Sequence, residues 1–200
     1  FFFGQSADKN APGTYAQVLN YFTAFSMCIY LGILLYMDIF GLILGENYRE
    51  GIVVVPVMAL AYVILGIYFN ISIWFKLSGK TGYAILITSA GLVITLIVNV
   101  LFMPHYGYMA AAWGHLASYL VMTLICALLG YRHYPVPYNW LRNGLYIFMG
   151  VGLYCFSLLF SEMDIFPKLA VNTGIILLYV FIWAGVEGFY KKLHRRLQRR

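Results

Sequence analysis

The sequence predicts an all-α fold, a polytopic bundle of about six membrane-spanning helices. Three observations predict it. The chain is 62% hydrophobic and only 10% charged, with a mean hydropathy of +0.80, whereas a soluble domain is about 45–50% apolar and about a quarter charged. The apolar residues gather into six runs, each near the roughly 20 residues that cross a bilayer. The basic residues sit at the ends of those runs and in the last ten positions, where topology charge belongs.

The elements follow in order. Residues 4–13 are a polar turn rich in helix breakers. The first span is expected over 15–37, with Asn20, Thr23, Met27 and Tyr30 on one side at helical spacing. Asp38 ends it, and 41–51 is a loop carrying Glu46, Arg49 and Glu50. The second span covers 52–75. Its Pro56 falls in the first turns, where a missing amide donor matters least. A tight basic loop precedes the third span, 83–102, in which Thr88, Gly91, Thr95 and Asn99 share a face. A turn at Pro104 to Tyr108 leads into the fourth span, 109–129. There Ala110, Gly114 and Ser118 form a small-xxx-small ladder, the pattern that lets helix backbones approach closely in lipid. A proline-punctuated loop leads to the fifth span, 141–160, and an acidic-leaning turn to the sixth, 169–189. The expected organisation is one transmembrane lobe over 1–190 and a basic tail over 191–200. The opening Phe1-Phe2-Phe3, without an initiator Met, reads as the end of an earlier helix, so the expectation is a C-terminal fragment of a longer polytopic protein.

Charge sets the orientation. Lys9, Lys76, Lys80, Arg132, Arg142 and the six basic residues of the tail fall on one side, eleven in all; Arg49 and Lys168 fall on the other with most of the acids. Eleven against two places both ends of the chain in the cytoplasm. The same distribution argues against nucleic acid as the partner of the net charge of +6, because the cations mark span ends and not a binding face. The tail has basic pairs broken by leucines and is expected to lie on anionic lipid headgroups.

Few residues carry chemistry. Cys28, Cys126 and Cys155 lie inside apolar runs, an odd count without partner histidines, which argues against a disulfide framework or a metal site. Ser78-Gly79-Lys80-Thr81 imitates the end of a phosphate-binding loop, but Trp74 stands where the motif needs its first glycine. Asn70-Ile71-Ser72 is a glycosylation sequon within a span, out of reach of the enzyme. Asn70, Asn99 and His115 are the informative polar residues, since an unsatisfied polar group in hydrocarbon costs several kcal/mol. They either bond between helices or line a water-filled cavity, and His115 is also a candidate for proton coupling. Tyr30, Tyr62, Tyr68 and Trp74 are either interfacial aromatics or a sugar-stacking surface. Glu187, four residues before Lys191, reads as half of a helical ion pair. No cofactor and no enzymatic role are expected.

Several stretches resemble one family. They are Ala7-Asp8-Lys9-Asn10-Ala11-Pro12 with Tyr15-Ala16 and Tyr21-Phe22; Tyr48-Arg49-Glu50-Gly51 before Val55-Pro56; Leu65 through Lys76; and above all Pro104 through Tyr119, whose Gly107-Tyr108-Met109-Ala110-Ala111-Ala112-Trp113-Gly114 resembles a Gly-x-x-Gly/Ala-Ala-Ala-Trp helix entry. The chain resembles the C-terminal half of bacterial polysaccharide or lipopolysaccharide biosynthesis proteins, the oligosaccharide flippases of the multidrug, oligosaccharidyl-lipid and polysaccharide exporter superfamily. The resemblance implies a C-terminal lobe paired with a missing N-terminal lobe of the same polypeptide, in the bacterial inner membrane. It implies a lipid-linked oligosaccharide as cargo, with Asn70, Asn99 and His115 bonding to sugar and Tyr68 and Trp74 stacking on it. The rival within the superfamily is a drug or cation antiporter, which needs a carboxylate or a tyrosine-rich cation site; no mid-span acid occurs in this stretch. A glycan polymerase is disfavoured, because the outer loop over 38–51 is short and lacks a convergent acid–base set.

Overall fold

In hydrocarbon each backbone amide must find its partner within its own segment, and the six apolar runs do so as helices. The structure, a computed structural model, describes residues 11–43 and 46–197, and the side chains of 11–41 and 50–188. Among the described residues every element is helical. They are α1 (Ala11–Leu35), a short α2 (Met37–Ile43), a 3-10 segment (Glu46–Val54), α3 (Val55–Ile71), a short α4 (Ile73–Leu77), α5 (Gly82–Tyr106), α6 (Tyr108–His133), α7 (Trp140–Ser157) with a 3-10 turn (Leu158–Phe160), and α8 (Ile165–Leu197). Six of these stretches are long and apolar enough to cross a membrane, and the chain is a multi-pass membrane protein.

The helix boundaries differ from expectation in three places. Pro12 and Gly13 lie inside α1. The helix α5 runs through Pro104 to Tyr106, and the break falls at Gly107, whose φ of 56° suits glycine. The missing donor of Pro104 affects only the last turn of α5. The helix α8 continues to Leu197, so the first residues of the expected tail, 191–197, are helical.

Successive helices run up and down, and their packing order is an open row. α5 lies on α6, α6 on α3, α3 on α1, and α1 on α7, while α8 rests on both α1 and α7. α1 is the hub and has the most buried span of the six. Large side chains of one helix enter glycine notches on the next. Phe22 of α1 covers Gly66 of α3, and Met27 of α1 covers Gly150 of α7.

At the end of the row that holds the start of α1, here called the proximal end, Trp74 closes the joint of α4 with α6. Its ring stacks on His133, with centroids 5.4 Å apart and planes 16° from parallel. Its Nε1 donates to Cys126 O at 3.2 Å. Gly130 makes room for it, since a Cβ there would stand 2.9 Å from Trp74 Cδ1. His133 Nδ1 donates to Leu129 O at 2.9 Å, and its Nε2 accepts from the Tyr83 hydroxyl at 3.2 Å, which ties the start of α5 to the end of α6.

α8 adds Ile175 and Tyr179 to the core and is also held by polar ties. Asn172 Nδ2 donates to Leu35 O at 2.6 Å. The Tyr179 hydroxyl donates to Ala24 O at 3.0 Å. Tyr36 and Thr173 hydroxyls bond at 2.7 Å, and Lys168 pairs with Asp38 at 2.6 Å at the opposite, distal end.

Candidate functional site

α1, α3 and α6 lie side by side, and a group of aromatic and imidazole side chains spans α3 and α6 there. Between α1 and α3 runs a groove of about 410 Å³ lined by Ser26, Ile29, Tyr30, Ile33, Met58 and Tyr62 among others. Tyr30 is buried and meets Tyr154 of α7 edge-on at 6.2 Å. Tyr62 is 57% exposed. Its ring lies 6.4 Å from that of Tyr119 on α6, and Tyr119 meets His115 edge-on at 5.9 Å. His115 is half-buried, and its Nδ1 donates to Ala111 O at 2.9 Å. A carbonyl only accepts, so Nδ1 carries a proton. The result is a line of two phenols and an imidazole along one side of α3 and α6, beside an otherwise apolar groove.

The residues expected to form the cavity do not converge. Tyr68 and Trp74 are 4% and 2% exposed and belong to the packed core, Tyr68 against Phe69 and Trp74 against Phe75, Tyr83 and His133. Neither is placed to stack on a sugar, because neighbouring rings already occupy their surroundings. Asn70 satisfies itself within α3, Nδ2 donating to Gly66 O at 2.9 Å. Asn99 faces α6 at Gly114, and its Oδ1 is buried with no hydrogen-bond partner among the described residues. His115 alone of the five stands beside the exposed aromatic line.

Ala110, Gly114 and Ser118 are buried along the seam of α6 with α5. Gly114 meets Val98, and the Ser118 hydroxyl donates across the seam to Gly91 O at 2.9 Å.

A second polar cluster went unseen in the sequence. Arg142, expected as a loop charge, is 9% exposed in the first turn of α7. Its guanidinium pairs with the Glu187 carboxylate of α8, and its Nε donates to the Tyr146 hydroxyl at 3.0 Å. Tyr146 in turn donates to Glu187 Oε1 at 3.0 Å. Next in the chain after Arg142, Asn143 Nδ2 donates to Asn20 Oδ1 of α1 at 2.8 Å and to Asn139 O at 2.9 Å. The cluster therefore knits α1, α7 and α8 at the proximal end. The expected Glu187–Lys191 pair falls on a side chain outside the described residues; among the described residues the Glu187 carboxylate is engaged by Arg142, 45 residues back. The available signal was the Arg142–Tyr146 spacing of four, which puts both on one helical face.

Among the described residues no group of His, Cys, Asp and Glu is arranged to hold a metal ion, and Cys28, Cys126 and Cys155 are free thiols. Comparison of the chain with protein-family models, with curated proteins and with solved structures found no match.

Proposed function

We propose that the chain is a transporter lobe that carries lipid-linked oligosaccharide across the bacterial inner membrane, working with a preceding lobe of the same polypeptide. The observation that carries this reading is the Tyr62–Tyr119–His115 line beside the α1–α3 groove. Aromatic faces stack on sugar rings, and phenol and imidazole groups bond to sugar hydroxyls. A neighbouring apolar groove within the bilayer suits a lipid tail that never leaves hydrocarbon. The resemblance of Pro104 through Tyr119 to the flippase helix entry supports the same cargo, because that stretch contains His115 and Tyr119. The bias of basic residues toward the proximal end supports a cytoplasmic location for both termini. An antiporter of cationic drugs fits less well, since the one carboxylate near the proximal end of α8, Glu187, is neutralised by Arg142.

The test is translocation of a fluorescent lipid-linked oligosaccharide in proteoliposomes holding the complete protein. Tyr62→Ala and His115→Ala are expected to slow translocation at least about tenfold, the loss from roughly 1.4 kcal/mol of cargo contact. Tyr68→Phe is expected to leave the rate unchanged. Efflux of cationic dyes without glycan movement would overturn the reading.

A further inference from the structure

The outer face of α6 carries a second groove, separate from the aromatic line. It measures about 530 Å³ and is lined by Ile125, Leu128, Leu129, Tyr131 and Arg132. Its walls are apolar along the span and change character at one end. Tyr131, 78% exposed, and Arg132 stand in the last turn of α6, where the helix leaves the span at the proximal end. Arg132 is exposed, as are Lys76 and Lys80 in the adjoining turn between α4 and α5. The Tyr83–His133 bond fixes that turn beside the end of α6, since Tyr83 N also bonds to Lys80 O. Among the described residues no carboxylate pairs with any of the three cations; the ion pairs there are Arg142–Glu187 and Lys168–Asp38.

We propose that this groove seats an anionic phospholipid, with an acyl chain along Ile125, Leu128 and Leu129 and the phosphate on Arg132. Charge complementarity selects that occupant. A zwitterionic lipid would fill the apolar trough and present a phosphate, but its quaternary ammonium cancels the net negative charge that the guanidinium and the two lysines attract. A soluble phosphate would meet the cation but not the trough. Tyr131 belongs at the headgroup level, where an aromatic ring with a polar tip is at ease. Lys76 and Lys80 add attraction that falls off within a Debye length. The site is independent of the cargo reading.

The test is lipid retention by the purified full chain, measured by native mass spectrometry after exchange into detergent with equal phosphatidylglycerol and phosphatidylcholine of matched chains. Wild type is expected to retain phosphatidylglycerol about fivefold over phosphatidylcholine, the worth of one cation near an anionic surface. Arg132→Gln is expected to abolish that preference, and Arg132→Lys to restore most of it. Leu128→Trp, which obstructs the trough and leaves the charge, is expected to reduce retention of both lipids. Lys168→Gln at the distal end serves as the control without effect. Equal retention in wild type and Arg132→Gln overturns the site. Retention unchanged by Leu128→Trp overturns the seated chain and leaves only diffuse attraction.

Discussion

Removing one member of the Arg142–Glu187 pair should be among the most damaging single changes available in this chain. The two side chains are 10% and 12% exposed, so neither charge has water to fall back on. In Glu187→Ala the guanidinium keeps its charge at any working pH and loses its carboxylate counter-charge, while the Tyr146 hydroxyl loses its bond to Glu187 Oε1. Stranding one member of a buried pair costs about 3–5 kcal/mol. An ordinary hydrogen bond between membrane helices averages only about 0.6 kcal/mol, so the two accounts are well separated. Replacing both members with apolar residues, Arg142→Met with Glu187→Leu, should return most of the loss, because no uncompensated charge remains. Tyr146→Phe should fall between, at about 1 kcal/mol. The assay is unfolding free energy by steric trapping in bicelles. The reasoning fails if either single variant loses less than about 1 kcal/mol, or if the double variant is no better than the worse single one.

Further outcomes follow from the same geometry. Trp74→Ala should cost about 3–5 kcal/mol through the cavity it opens, whereas Tyr62→Ala, more than half exposed, should stay within about 0.5 kcal/mol; thermal unfolding in nanodiscs separates a core aromatic from a surface one. Gly91→Ala would place a Cβ against Met122 Sδ and 2.9 Å from Ser118 Oγ, and the overpacked α5–α6 seam should lose about 1–3 kcal/mol by the same measurement. Among the described residues the buried Tyr138 hydroxyl has no hydrogen-bond partner, and burial pushes its ionisation above the ordinary tyrosine range. Unfolded tyrosine ionises near pH 10 while the folded one holds its proton, so this residue's contribution to stability is complete below about pH 10 and is lost as pH rises beyond it. Tyr138→Phe should be neutral near pH 8 and should lose stability less steeply than wild type toward about pH 11, as read from unfolding curves at the two values.

The six spans were legible because hydrocarbon leaves a segment little choice: a run of about 20 apolar residues satisfies its backbone as a helix or not at all. Boundaries were less legible. Pro104 reads as a stop, yet a proline one turn from a helix end removes a single bond, and the chain turns where Gly107 allows a positive φ. Face periodicity placed Asn99 on one side of its helix but could not say which neighbour covers that side, and for Tyr68 and Trp74 composition alone did not separate an interfacial ring from a core one. Gly130 accounts for Trp74: the notch that admits the indole lies 56 positions later on another helix. Arg142 was misplaced for a related reason. At the edge of an apolar run a guanidinium reads as solvated, and only the packing of α8 against α7 brings a carboxylate to it.

The way α8 is fastened has a consequence for how this chain tolerates change. Asn172 and Tyr179 send their hydrogen bonds to carbonyl oxygens of Leu35 and Ala24, groups that every amino acid supplies. Substitutions at those two α1 positions can therefore alter shape without removing an acceptor, whereas the donors on α8 have no such latitude. Sequence drift along this seam should be lopsided, permissive on the central helix and restrictive on the last one. At these two points the register of α8 against α1 is written in its own side chains, whereas Glu187, Lys168 and Thr173 each depend on a particular side chain of a neighbour, Arg142, Asp38 and Tyr36.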